Sequence, residues 1–419
     1  MFKVQEVRIN NFWYRLNAYC QFNDDVNIII GRNGTGKTTF MNILHAALSV
    51  DLEELASSDF DKIEIKLVDG NKKKTVKVEK INNQNSPFQP IEYQISNKKF
   101  RLRGVPQQDD RVFPSHYKRM ALEQASELRH VLNKIVSLAS LSVYRLRSGD
   151  DFEIKDRSGR RLMSPVDFRL SQLKTELTQY QFELSQKARI ISTTLQKDVL
   201  ASILYSDSSQ SGYVLPKQYE KSKERTKLLA AYSRLGAVDQ EVRKKISVHT
   251  SAIDEALIRI HDKNKTEPVN FAALEAFDRT KAIIEMSLKA EEETKSNYSQ
   301  IELFIQTLKE FIDDKLFTLD SGELLATNLA GDQIPSDKLS SGEKQLLILL
   351  IESLLQKNKP FVYLTDEPEL SLHIEWQRNI IPAIKRINPH AQIIAATHSP
   401  EVASKYKSSL IDMKAVTNG

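Results

Sequence analysis

Short apolar runs broken by polar residues fill Val4 to Ile30 and end in Val26-Asn27-Ile28-Ile29-Ile30, which reads as a buried strand stopping at Gly31. Thr38 to Leu48 then carries apolar residues at Phe40, Ile43, Leu44, Ala47 and Leu48, the period of a helix packed on a sheet. Ile63, Ile65 and Leu67 alternate with polar residues, Asp69-Gly70 marks a tight turn, and Val76 and Val78 alternate again, so this stretch predicts a β-hairpin. Further extended pieces are expected near Ile91–Ile95, Phe100–Leu102 and Phe152–Ile154, which makes residues 1–165 a β-rich lobe.

The texture then changes. Pro165, Pro216 and Pro268 each stand at the head of a long polar stretch with helical periodicity and few glycines, as prolines do at helix starts, so residues 166–320 predict an insertion of three helices. Leu170, Leu173, Leu177, Tyr180 and Leu184 step by three and four, as do Ile253, Leu257 and Ile260, and later Ile301, Ile305, Leu308, Ile312 and Leu316. No seam keeps its register beyond a few heptads, so a helix of ~40 residues, about 60 Å long, is the upper limit, and a short coiled coil or bundle is expected. Residues 321–419 return to sheet and helix, with a helix over Leu346–Leu355 and buried strands over Phe361–Thr365 and Gln392–Thr397. The expected fold class is α/β, a mixed sheet flanked by helices with a long α-helical insertion.

A chain of 419 residues can bury a large core, and its formal charge of +5 permits nucleic-acid contact without demanding it. Cys20 is the only cysteine, which excludes an internal disulfide and suits a reducing cytosol, so a cytoplasmic location is expected. The start Met1-Phe2-Lys3-Val4 reads straight into a strand, and no leader peptide is expected. The longest apolar stretch, Leu346–Leu355, contains Glu352 and falls short of the ~20 residues that cross a bilayer, so no membrane partner is expected.

Chemistry concentrates in four places. Gly31-Arg32-Asn33-Gly34-Thr35-Gly36-Lys37-Thr38 lies at a strand-to-helix junction, where its glycines let backbone N–H groups converge on phosphate oxygens. Asn33, Gly34, Thr35, Gly36 and Lys37 therefore predict a triphosphate cradle, with Thr38 on Mg²⁺ and Thr39 near the α-phosphate. The strand over Phe361–Thr365 delivers Asp366 for the Mg²⁺ shell and Glu367 to orient or deprotonate the attacking water. The strand ending at Thr397 presents His398 at the same sheet edge, placed to sense a γ-phosphate. Finally, Ser340 with Glu343 three residues on is a capping box, which leaves Ser341 and Gly342 exposed at a helix tip that binds phosphate. That tip is superfluous where the glycine loop of the same chain already encloses the ligand, so it is expected to close on ATP held by another copy, in a homodimer or higher homo-oligomer.

These motifs resemble the ABC-type ATPases of the RecF, Rad50 and SMC kind. The run Asp366-Glu367-Pro368-Glu369-Leu370-Ser371-Leu372-His373, with Thr397-His398-Ser399-Pro400, is similar to the ATPase halves of OLD-type proteins and of antiphage ATPases such as those of Septu and PARIS systems. His373 stands where transporters commonly carry Asp, and Gln84, Gln94, Gln107 and Gln108 leave the Q-loop glutamine open. OLD-type proteins continue into an acidic nuclease domain, whereas this sequence ends soon after His398. The resemblance therefore implies an ATP-dependent switch controlling a separately encoded nuclease effector in antiphage defence. The alternative it implies is a RecF- or Rad50-like clamp binding DNA directly, with basic groups at Lys72-Lys73-Lys74, Lys98-Lys99, Arg101, Arg103, Arg157 and Arg160-Arg161.

Overall fold

The computed structural model describes residues 1–81, 90–102, 115–140, 164–202, 219–236, 238–261, 268, 270–320 and 322–417. Strands β1 (Lys3–Phe12), β2 (Leu16–Gln21) and β3 (Val26–Ile30) lead into helices α1 (Lys37–Ser49) and α2 (Leu52–Ser57). The hairpin β4 (Lys62–Asp69) and β5 (Lys72–Lys80) follows, then β6 (Ile91–Ile95), β7 (Lys98–Leu102), α3 (Ser115–Asn133) and β8 (Leu138–Ser140). Helices α4 (Pro165–Ala201), α5 (Lys221–Arg234), α6 (Gln240–His261) and α7 (Phe271–Phe311) come next. The chain closes with β9 (Lys315–Asp320), β10 (Glu323–Asn328), β11 (Gln333–Ile334), α8 (Ser341–Leu355), β12 (Val362–Asp366), α9 (Ile374–Ile387), β13 (Gln392–Ala396), α10 (Pro400–Ser404), β14 (Leu410–Asp412) and α11 (Met413–Thr417).

The fold is α/β, and its strands segregate by direction. A six-stranded antiparallel sheet runs β2-β1-β4-β5-β6-β7, and a five-stranded parallel sheet runs β14-β3-β13-β12-β8. Alternating sequences such as Lys62–Asp69 form the first, where every second side chain turns inward. The largely apolar runs Val362–Leu364 of β12 and Ile393–Ala396 of β13 form the second, and both strands are buried along their whole length. Helix α1 supplies Phe40, Ile43, Leu44 and Leu48 to a core that joins Val7, Ile9, Ile63 and Val78 of the first sheet to Ile29, Leu364 and Ile394 of the second. The Tyr93 hydroxyl donates to the Ala47 carbonyl at 3.3 Å, satisfying a polar group inside that core.

Buried amides hold the start of the parallel sheet in register. Gln392, fully buried, accepts from the Val4 N–H at 2.8 Å and donates to the Val4 carbonyl at 2.7 Å, so its side chain stands in for a missing strand partner. Asn27 accepts from Asn23 N–H at 2.7 Å and donates to the Asn23 carbonyl at 2.9 Å.

Two compact units emerge, one of Met1–Thr178 with Leu303–Gly419 and one of Gln179–Glu302. The second lies inside the 166–320 segment expected for the insertion, because the first residues of α4 and the last of α7 pack within the first unit. Where three insertion helices were expected, the described residues form four, α4 to α7. Gly236, with φ of +69°, ends α5 in the left-handed region that glycine tolerates, and α6 starts four residues later. Leu228 and Ala231 of α5 pack on Ile246 of α6 and Ile284 of α7, and Ile253 and Leu257 pack on Leu274 and Phe277. The seam expected to run through Leu316 stops earlier: α7 ends at Phe311, and Leu316 belongs to β9. The reason is pairing, since Phe317 and Leu319 face Ala326 and Leu324 across a hairpin that helical spacing does not reveal. Phe152–Ile154, Pro216, Arg103, Arg157, Arg160, Arg161, Gln84, Gln107 and Gln108 lie outside the described residues.

Candidate functional site

Strands β3, β13 and β12 are parallel neighbours, with Ala396 paired to Ile29 on one side and to Asp366 on the other. Three loops therefore leave the same sheet edge together: the glycine loop after Ile30, the acidic turn after Asp366 and the Thr397-His398 turn. That edge, at the carboxyl ends of parallel strands, is where α/β sheets bind ligands.

The glycine loop fits a phosphate cradle by two independent observations. Gly34 and Gly36 adopt φ of +78° and +93°, a left-handed backbone that turns successive N–H groups inward. A Cβ at Gly36 would also meet the Phe12 ring at 2.9 Å and Trp13 at 3.0 Å, so only glycine fits between the β1 turn and α1. Behind the loop, a Cβ at Gly31 would stand 2.8 Å from Thr35 Oγ1 and 3.2 Å from Met413 of α11. Asn33 and Thr38 are exposed, whereas Thr35 and Thr39 are half-buried.

Lys37 is buried, and its Nζ donates to the carbonyls of Gly31 at 2.9 Å and Arg32 at 3.3 Å. Burial lowers its pKa from the ordinary range, while the charges of Asp366, Glu367 and Glu369 pull it back up. The lysine thus faces the acidic turn electrostatically, which brings together the basic and acidic residues singled out from the sequence. Asp366 is buried at the end of β12, and Glu367 is half-buried with φ of +50° and its N–H bonded to the Ala396 carbonyl at 2.7 Å. The exposed His398 ring places Nε2 3.9 Å from Glu367 Oε1.

Ser340, Ser341, Gly342 and Glu343 form a second cluster. The capping box is complete: Ser340 Oγ accepts from Glu343 N–H at 3.2 Å, and Glu343 Oε2 accepts from Ser340 N–H at 2.7 Å. Lys315 Nζ holds the other Glu343 oxygen at 2.7 Å, so this carboxylate is committed to the helix cap. Ser340 and Ser341 are exposed, as expected from the sequence, but Gly342 is buried. The Ser371 carbonyl occupies the space a side chain would need, 2.6 Å from a Cβ built at Gly342, because Ser371 adopts φ of +66°.

The segment from Glu367 to His373 therefore touches both clusters, reaching the His398 turn through Glu369 and the α8 tip through Ser371. Within the run from Asp366 to His373 nothing in the sequence marks out Glu369 for a role of its own. Its burial beside the hydroxyl residues Thr397 and Ser399 depends on the pairing of β12 with β13, which only the fold supplies. His373 is exposed at the N-cap of α9, with no side-chain cap bond.

Comparison with known proteins places this site in a family. The chain is 22% identical over 429 residues to the Retron Ec83 probable ATPase of Escherichia coli, a match spanning 96% of this chain and 69% of that protein. It is 56% identical over 39 residues to the Septu protein PtuA of Bacillus thuringiensis, 9% of this chain and 10% of that protein. The Smc head domain from Pyrococcus furiosus superposes with a TM-score of 0.40 at 13% identity, covering 96% of this chain and 92% of that one. No helix among the described residues is long and apolar enough to cross a membrane. A family model described as AAA ATPase domain matches residues 2–403, so the glycine loop and its facing carboxylates sit in a nucleotide-binding chain that belongs to the AAA ATPase domain family and is an ATPase.

Proposed function

We propose that ATP binding pairs two copies of this chain, and that the pairing controls a separately encoded nuclease effector in antiphage defence. The observation that carries the pairing is the α8 tip: Ser340 and Ser341 are exposed at a capped helix N-terminus, a surface suited to phosphate oxygens. On this reading each nucleotide lies between the glycine loop of one copy and the α8 tip of the other, giving two equivalent sites under two-fold symmetry.

Asn33 to Thr39 would hold the triphosphate, with Lys37 releasing its loop carbonyls for phosphate oxygens. Thr38 and Asp366 would hold Mg²⁺, since both are hard oxygen donors and this ion takes few protein ligands alongside phosphate and water. Mg²⁺ supplies neutralisation of phosphate charge when bound. Glu367 would orient the attacking water and His398 would meet the γ-phosphate. The defence setting is supported by likeness to the retron and Septu proteins, and a partner effector by the resemblance to Septu-type systems.

The Glu367→Gln variant tests the pairing: in saturating MgATP its solution mass should double, whereas Lys37→Ala should stay single and bind no nucleotide. A Glu367→Gln chain that remains single in MgATP would refute the sandwiched site. ATP-dependent capture of the neighbouring gene product tests the effector.

Direct DNA binding is a second reading, supported by exposed Lys72, Lys73 and Lys98 near adjacent turns of the antiparallel sheet. Other lysines there are paired across strands, Lys99 with Glu92, Lys62 with Glu79 and Lys77 with Glu64. Duplex binding that strengthens with ATP and weakens steeply with salt, without an effector, would favour this reading.

A further inference from the structure

Among the described residues three buried acids face a cation: Glu6 meets Lys66 and Arg8, Glu352 meets Arg169, and Glu343 meets Lys315. Glu369 is different. It is buried in the turn after β12, and its Oε1 collects three neutral donors from one short segment: Thr397 Oγ1 at 2.6 Å, His398 N–H at 3.1 Å and Ser399 N–H at 3.1 Å. Its Oε2 is buried with no hydrogen-bond partner among the described residues. The carboxylate's charge is felt instead by Lys37 of the glycine loop. Burying a carboxylate in a turn is costly unless its bonds repay it, and here all of them go to the backbone and hydroxyl flanking one histidine.

The surroundings stiffen the same segment. Thr397 Oγ1 accepts from Ser399 N–H at 2.9 Å, and Ser399 Oγ donates to Gln377 Oε1 at 2.8 Å while capping α10 through Glu401 N–H at 3.2 Å. Gln377 returns to the acidic turn, donating to the Leu372 carbonyl at 3.0 Å. The His398 ring is exposed, but the backbone that carries it is gripped on both sides.

We infer that Glu369 is a positioning residue for ATP turnover, acting by fixing the backbone of Thr397-His398-Ser399 so that the His398 ring stands beside Glu367. This rests on the roles proposed above for Glu367 and His398. A side chain displaced by about one ångström can lose turnover about a hundredfold, so the anchor needs no contact with substrate to matter.

The test uses the full chain with ¹³C-labelled histidine, where the His398 resonance is assigned by its loss in His398→Ala. Glu369→Ala should move that resonance and lower kcat by at least about tenfold with little change in MgATP affinity, a pattern of lost transition-state positioning. Glu369→Gln keeps an oxygen for the same three donors and should restore most of both. Thr397→Val removes a single donor and should shift the resonance in the same direction, which keeps the test open should Glu369→Ala fold poorly. In a His398→Ala background, Glu369→Ala should cost no further turnover. An unmoved His398 resonance in both Glu369→Ala and Thr397→Val, or losses that multiply in the double variant, would overturn the inference. Full turnover by His398→Ala, with the resonance still moved by Glu369→Ala, would instead overturn the role given to His398 and confine Glu369 to holding the loop.

Discussion

Gly342 shows how a residue read for one purpose serves another. Ser340 and Ser341 before it are exposed at the α8 tip, but Gly342 itself is buried and lets the Ser371 carbonyl approach the helix. Gly342→Ala should therefore push backbone against a Cβ that has nowhere to go, costing roughly 1–3 kcal/mol of stability in urea titration and displacing the Glu367–His373 segment. A variant with wild-type stability and turnover would show that the contact yields easily. Lys80 makes a different point. Burial at the end of β5 pushes its pKa down to about 8 from 10.5, against the pull of Asp59 and Asp61, while its Nζ lies 3.3 Å from the Ala56 carbonyl and 4.6 Å from the Phe60 ring centre. Between about pH 8 and pH 10.5 the folded chain gives up this proton while the unfolded chain keeps it, so this group makes stability rise with pH across that window. Urea midpoints of wild type and Lys80→Met at pH 7.5 and 9.5, values on either side of the about-8 midpoint, should show that rise only in the wild type.

Among the elements, α1 bears the heaviest load. Its N-terminus opens at the glycine loop, and its apolar face joins the antiparallel sheet to the parallel one. Phe40 is fully buried at that junction, so Phe40→Ala should cost about 3–5 kcal/mol by urea denaturation and weaken nucleotide binding through the loop it anchors. The period of Phe40, Ile43, Leu44 and Leu48 was enough to foresee this helix, and the runs Val26–Ile30 and Gln392–Ala396 were enough to foresee buried strands, because burial on two faces leaves no polar alternation. The hairpin β9–β10 was not legible, since Ile312 and Leu316 fall four apart by coincidence and the strand is defined by its partner. The α5–α6 break falls at Gly236, a single glycine inside a long stretch of helical periodicity.

For the molecule as a whole, α4 is tied to α8, the helix whose tip carries Ser340 and Ser341. Lys344 Nζ meets Asp167 at 2.7 Å, and Arg169 Nη2 meets the buried Glu352 at 2.7 Å. The end of α7 similarly meets α9, with Arg386 Nη2 on Thr307 Oγ1 at 2.8 Å and Phe311 against Trp376. Burial raises the Glu352 pKa to about 7 although Arg169 pulls it down. A carboxyl raised above its ordinary 4.5 favours folding most at low pH, and that contribution is lost as pH climbs through about 7. Arg169→Met should consequently cost roughly 3–5 kcal/mol at about pH 8, where an unpaired charge is left buried, and less at about pH 5, where Glu352 takes up a proton. Equal costs at both pH values would mean that Arg169 acts by packing alone.

That the glycine loop, the Asp366-Glu367 turn and His398 leave one sheet edge was legible from residue order, because each follows an apolar run and parallel strands present their carboxyl ends together. Local sequence also determined the α8 cap, whose bonds close within three residues. Only the tertiary structure decided that Gly342 is packed by Ser371 and that Glu369 grips the His398 turn. Both contacts join residues about thirty apart in sequence, and both depend on which strands are neighbours and on left-handed turns that side-chain chemistry does not announce.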